Sequence, residues 1–219
     1  MIRALITQRE ELNRYGDIVD SLEKNYIDFF NSMDISAIPI SNFTNEVETL
    51  VESIKPEIII FSGGGILPEK AYSFKKEGFQ QINRNKVETK LLEIALKKDI
   101  PILGICRGMQ VIACHFGGII DDFRNLKVNR EVGKNHKVIL TEKNEETIVN
   151  NFHNDGFFVN NFPNILKPVV IDKENNTVEA FAVADKKLLG IQWHPERMAY
   201  NTCPEKLFKY LFEKYIVKK

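Results

Sequence analysis

Five residues, Gly104-Ile105-Cys106-Arg107-Gly108, constrain this chain more than any other stretch. They follow the apolar run Ile100-Pro101-Ile102-Leu103 and precede Met109-Gln110-Val111-Ile112-Ala113. The pattern predicts a strand, a sharp turn and a helix, with a cysteine at the apex. So sharp a turn needs small neighbours, because the backbone is strained and closely packed there. The apex side chain then stands clear of the sheet at a helix N-terminus, where the dipole and unpaired N–H groups favour a thiolate. Far downstream, Gln192-Trp193-His194-Pro195-Glu196 offers an imidazole and a carboxylate. Cys106, His194 and Glu196 together make a nucleophile, a base and an orienting group.

The rest of the pattern suits such an elbow. Apolar runs predict strands at 2–7, 35–40, 57–61 and 100–105. Helical stripes fall at 17–30, 45–54, 85–98 and 107–116. Strands alternating with helices of this length imply a mostly parallel sheet covered on both faces. After Gly117-Gly118 the pattern changes to short strands at 138–140, 168–172, 178–183 and 188–191, a small antiparallel addition. A helix over 204–217 closes the chain, and 66–84 and 121–136 look irregular. The fold expected is α/β, of the flavodoxin-like kind.

With 219 residues, 43% of them hydrophobic, the chain suffices for one substantial core, and a single domain over 1–219 is expected. Thirty basic residues balance thirty acidic ones, which gives no global attraction to nucleic acid or an anionic membrane. The first apolar run is too short for a signal segment or a membrane span. Three cysteines without framework spacing suit a reducing compartment, so a cytoplasmic location is expected. No ligand spacing supports a metal at Cys114, His115 or His136, and no cofactor is expected. Cys114 reads as a core cysteine, His136 as a loop histidine and Cys203 as a helix-start residue.

In an open parallel sheet, chemistry gathers beyond the C-terminal strand ends. The strand at 57–61 ends in Ser62-Gly63-Gly64-Gly65, beside the strand that carries Cys106. A glycine run there lets a backbone N–H reach a substrate carbonyl, and with the Arg107 N–H it forms an oxyanion hole. Gly104 to Gln110, the glycines at 63–65 and Gly190 to Glu196 together resemble the class I glutamine amidotransferase domain. More closely, the chain resembles the free-standing γ-glutamyl hydrolases of that superfamily. Asn135 to Val138, Val149 to His153 and Thr177 to Ala180 share in the resemblance.

The resemblance implies Cys106 as nucleophile, His194 as base, Glu196 as orienting group, and the Gly64 and Arg107 amides as oxyanion donors. It implies a γ-glutamyl head group bound by Gly65, Gln110, Asn151, Phe152 and His153. The chain departs from the family in having Ile66-Leu67-Pro68 where an aspartate is usual. It also has His153-Asn154-Asp155 where His-His-Gln is common. These departures bear on the leaving group.

Arg124, Lys127, Arg130, Lys134 and Lys137 share a stretch with one acid, Glu131. Lys70, Lys75, Lys76 and Arg84 fall in the other irregular stretch, 66–84. Such loops are either solvated or a mouth for an anionic leaving group, a phosphate or nucleotide. The chain also resembles short bacterial γ-glutamyl hydrolases of capsule biosynthesis, which release a cytidine-diphosphate amidate. The expected partner is thus a small-molecule γ-glutamyl substrate, nucleotide-linked. The alternatives are a γ-glutamyl-polyamine or γ-aminobutyrate hydrolase, or the glutaminase component of a two-chain amidotransferase.

Overall fold

β-Branched residues dominate the apolar runs, and they become the central strands of the fold. The computed structural model describes residues 1–126, 128–197 and 203–217. In chain order, β1 (Ile2–Thr7) leads into a hairpin of β2 (Arg9–Leu12) and β3 (Ile18–Ser21). Then come α1 (Lys24–Asn31), β4 (Ile35–Ile40), α2 (Val47–Ile54), β5 (Ile58–Phe61) and α3 (Ile82–Lys97). The elbow joins β6 (Ile102–Ile105) to α4 (Arg107–His115). The second half holds β7 (Asp121–Asp122), β8 (Asn135–Leu140), β9 (Glu145–Asn150), β10 (Asp155–Gly156), β11 (Lys167–Asp172), β12 (Thr177–Val183) and β13 (Leu188–Ile191). The last long helix is α5 (Cys203–Phe212), continued by a π-helical turn over Glu213–Val217.

Nine strands form one sheet in the order β4-β1-β5-β6-β13-β12-β11-β8-β9. Pairings from β4 through β13 are parallel, and those from β13 to β9 are antiparallel. The antiparallel strands therefore extend the parallel core. Alternation within each strand divides the core between the two faces. Ala4, Ile6, Ile58, Ile60, Leu103 and Ile105 pack with Phe30 of α1 and with Phe208 and Leu211 of α5. Leu5, Ile59, Phe61 and Ile102 pack on the other face with Val51 of α2, Leu91 of α3 and Ile112 of α4.

The helix expected over 17–30 is shorter than its stripe. Residues 18–21 pair with 9–12, and α1 begins only at Lys24. Local turn chemistry decides this. Asn13 Oδ1 accepts from the Tyr15 and Asp17 amides, and Gly16 adopts φ +86°, closing a hairpin. α3 starts three residues before the predicted Asn85 and takes in Arg84. β9 is a strand that the apolar pattern does not predict. Its residues Glu145, Glu146, Thr147 and Ile148 are exposed or half-exposed, so the apolar signal is weak.

Candidate functional site

Cys106 follows β6 directly and adopts φ +52° and ψ −106°. This region is costly for a side chain that has a Cβ, and it persists only where surrounding structure holds it. Close packing does so here. A Cβ on Gly108 would lie 2.0 Å from the Phe61 carbonyl oxygen, and one on Gly104 would lie 2.6 Å from the Gly108 backbone. The two glycines thus let α4 press its first turn onto β5 and β6. The Cys106 amide donates to the Ile191 carbonyl at 2.8 Å, tying the apex to β13.

β13 lies beside β6 in parallel register, with Ile191 opposite Ile105, and so delivers the next residues to the same sheet edge. His194 and Glu196 lie on the turn after it, and fully buried Trp193 anchors that segment. Pro195–Arg197 is a 3-10 turn, and it brings His194 Nδ1 and Glu196 Oε1 to 2.5 Å of each other. With Nδ1 occupied, Nε2 is the ring nitrogen left free, and Cys106 acts on the imidazole electrostatically. Burial works to lower the His194 pKa. Cys106 and then Glu196 outweigh it, raising the value to about 10.

The glycine loop after β5 reaches the same place. A Cβ on Gly63 would lie 2.8 Å from His194 Cε1 and 3.4 Å from Cys106 Cβ. The Gly63 amide donates to the Tyr26 hydroxyl at 2.9 Å, so it is already used. The Gly64 and Arg107 amides have no hydrogen-bond partner among the described residues. Gly65 turns toward Gln81, whose amide occupies the space a Cβ would take.

A buried ion cluster braces this loop. Arg84 donates to the Gly64 carbonyl at 2.8 Å and to the Ser62 carbonyl at 2.7 Å. Glu88 accepts from Arg84 Nε at 2.8 Å, Arg107 Nη1 at 2.5 Å and Thr7 Oγ1 at 2.9 Å. Burial, then repulsion from Arg107, lowers the Arg84 pKa to about 10 against the pull of Glu88, so it stays charged at neutral pH.

The remaining predicted residues spread across two places. Phe152 is 38% exposed and meets the His194 ring edge-on at 5.7 Å. Gln110 is buried and donates to Asp155 Oδ1 at 3.1 Å. His153 is buried, with Nδ1 against the Asp155 carbonyl at 3.0 Å. Asn151 gives its amide to the Glu131 carbonyl at 3.0 Å, turning that group into the 131–134 turn.

The basic residues of the two irregular stretches divide between solvent and interior. The Arg130 side chain is buried, 2.6 Å from Glu179 and 3.5 Å from Asp172, so its charge is neutralised internally. His136 joins the same cluster, 3.4 Å from Glu179. Arg84 lies inside α3, away from any loop surface. Lys76 pairs with Asp155 at 2.5 Å. Arg124, Lys134 and Lys137 are solvated, and Lys127 lies outside the described residues. An arginine in a polar stretch looks exposed until a buried carboxylate distant in sequence claims it.

Burial lowers the His153 pKa to about 4, partly countered by Glu179. Folded His153 therefore stays neutral while the unfolded chain binds the proton near 6.5. Stability from this group is lost as pH falls from 6.5 toward 4. Urea midpoints measured at pH 7.5 and 5 should fall less in His153→Asn than in the parent. An equal fall in both would remove His153 as the cause.

Four neighbours of the site carry no such signal in the sequence, or only a faint one. Tyr26, placed only in a core stripe, holds Gly63 and faces Glu196; burial first, then that carboxylate, raises its pKa well above 10. Asn150 clamps the His194 backbone through both amide atoms, at 2.9 and 2.8 Å. Arg9 and Arg197 share Glu23 beside the two loops. Asn150 alone has a signal, its place in the Val149 to His153 motif.

The architecture is that of a class I glutamine amidotransferase fold, with the elbow at the C-terminal edge of its parallel strands. A glutamine amidotransferase from Thermotoga maritima superposes with a TM-score of 0.61 at 22% identity, covering 97% of this chain and 84% of that one. A glutamine amidotransferase from Methylobacillus flagellatus gives 0.56 at 15% identity, covering 96% and 76%. Residues 2–196 match the Peptidase C26 family model, and the chain belongs to that family. Among curated proteins, Gamma-glutamyl-CDP-amidate hydrolase of Campylobacter jejuni is 36% identical over 139 residues, 64% of this chain and 62% of that protein. The glutamine-hydrolyzing GMP synthase of Finegoldia magna is 32% identical over 149 residues, 67% of this chain and 26% of that protein. Each of these two matches thus spans less than two thirds of the relative.

Proposed function

We propose that this chain is a cysteine hydrolase of γ-glutamyl amides, acting through a γ-glutamyl thioester on Cys106. The observation that carries the reading is the cysteine at φ +52° on a strand-to-helix elbow, close to a histidine that a glutamate orients. The Cys106 thiolate attacks the γ-carbonyl carbon, and the oxygen takes up negative charge facing the Gly64 and Arg107 amides. His194 gives its Nε2 proton to the amide nitrogen as the C–N bond breaks and the amine leaves. Neutral His194 then takes a proton from water. Hydroxide adds to the thioester carbon, the C–S bond breaks, and glutamate departs with the thiolate restored.

The preferred leaving group is phosphate-bearing, as the name of the Campylobacter jejuni relative indicates for that protein. The GMP synthase relatives favour a second reading, a glutaminase that passes ammonia to a synthetase. A screen of glutamine and of γ-glutamyl amides with amine, amino-acid and nucleotide leaving groups separates the two. The nucleotide conjugate should give the highest kcat/KM. Faster turnover of glutamine or γ-glutamyl-γ-aminobutyrate would overturn the leaving group, and no turnover of any would overturn the hydrolase. On one substrate, His194→Asn should cost about 10²–10⁴-fold and Glu196→Gln less, because only the histidine moves protons. Unchanged rates in both variants would point to another base.

A further inference from the structure

Glu23 joins two arginines beside the site. Arg9 Nη2 lies 2.9 Å from Glu23 Oε1. Arg197 approaches the same oxygen from Nη2 at 2.7 Å and reaches Oε2 from Nε at 3.2 Å. Two guanidinium groups share the Glu23 carboxylate, and Arg197 Nε also lies 3.8 Å from Glu196 Oε1, so the cluster adjoins the carboxylate that faces His194. The side chains of Arg9, Arg197 and Glu23 are 29%, 25% and 27% exposed, which leaves the cluster open to solvent.

Its position follows from the sheet order. The strand carrying Cys106 lies between β5 and β13. Arg9 covers the loop after β5: a Cβ on Gly64 would lie 2.4 Å from Arg9 Cδ. Arg197 belongs to the turn after β13 and stacks 4.7 Å above the Phe152 ring, which in turn meets His194. The pair therefore straddles the cysteine strand, one arginine over the oxyanion loop and the other beside the base.

We propose that Arg9 and Arg197, bridged by Glu23, form the subsite for an anionic, phosphate-bearing leaving group. This rests on the γ-glutamyl hydrolase reading above. Guanidinium forks match phosphate oxygens in pairs, and both arginines keep N–H groups not given to Glu23. Glu23 and the stacked Phe152 hold the forks in place before substrate arrives. Phosphate oxygens then take the free donors, and the negative charge of Glu23 opposes their approach. The buried Arg130 cannot serve this purpose, because Glu179 and Asp172 already neutralise it.

Inorganic pyrophosphate is the probe, titrated by calorimetry into the whole 219-residue chain at fixed ionic strength. Kd should rise at least about tenfold in Arg9→Gln and in Arg197→Gln, since each removes charge-assisted hydrogen bonds. It should fall in Glu23→Gln, where the opposing charge is gone. A purely structural bridge predicts no such opposition of sign. Cooperative thermal unfolding checks each fold, and Arg→Lys replaces any Gln variant that does not fold. Turnover of γ-glutamyl-p-nitroanilide is followed in parallel. Equal pyrophosphate binding in all variants, no binding, or weaker binding in Glu23→Gln would overturn the subsite while amide turnover keeps the hydrolase. Arginine-dependent binding without γ-glutamyl turnover would uphold the subsite and overturn the hydrolase.

Discussion

Cys106→Ala is expected to abolish hydrolysis, with a loss on the order of 10⁴-fold or more, and to leave a folded protein. In the proposed mechanism the thiolate is the attacking group, and no described neighbour can take its place. Iodoacetamide should label Cys106 before Cys114, whose thiol is pushed up to about 12 by burial. The same substitution should move His194. Cys106 is the strongest influence raising its pKa to about 10, so without the sulfur the imidazole should titrate lower. The linkage sign follows. A histidine with a raised folded value adds stability that is complete below 6.5 and lost as pH climbs through about 10. Cys106→Ala should therefore flatten the stability profile across that window. Ring-proton NMR of the four histidines reads the shift directly. Full turnover by the variant, or an unmoved His194 titration, would end the assignment of Cys106 as partner and nucleophile.

Glu88→Gln should cost about 3–5 kcal/mol of stability, because it leaves Arg84 and Arg107 buried without a counter-charge. In a chain of this size that corresponds to a fall in Tm of roughly 10 °C. Activity should also drop, since Arg84 fixes the carbonyls of Ser62 and Gly64 and hence the direction of the Gly64 amide. A triple change, Arg84→Met with Glu88→Leu and Arg107→Met, separates the two effects. Apolar replacement of a whole buried ion cluster is often neutral or stabilising. The triple variant should regain much of the melting temperature but not the rate. The Arg107 amide survives in it, while the brace on the glycine loop does not. Recovery of both would show that the cluster serves the fold alone.

Much of this protein is legible in its residues, and the reason is locality. The elbow depends on Gly104 and Gly108 within one turn of Cys106. The His194 and Glu196 pair depends on a spacing of two. The parallel strands announce themselves as continuous apolar runs because both faces are buried. β9 and the first hairpin escape sequence reading for a related physical reason. A strand with a half-exposed face carries a weak apolar signal, and Asn13 and Gly16 outweigh a helical stripe over 17–30.

The basic residues show the opposite case. Arg84, Arg124 and Arg130 look alike along the chain. Only folding sends Arg84 beneath the glycine loop, leaves Arg124 in solvent and buries Arg130 against Glu179. The charges beside the site belong instead to Arg9 and Arg197, separated by most of the chain and joined through Glu23. The sequence by itself determined the strand-turn-helix frame, the cysteine at its apex and the histidine–glutamate pair, since each is specified by near neighbours. Tertiary structure alone decided which cations are buried against carboxylates and which stay partly open to solvent beside the elbow, because a charge is set by what packs against it.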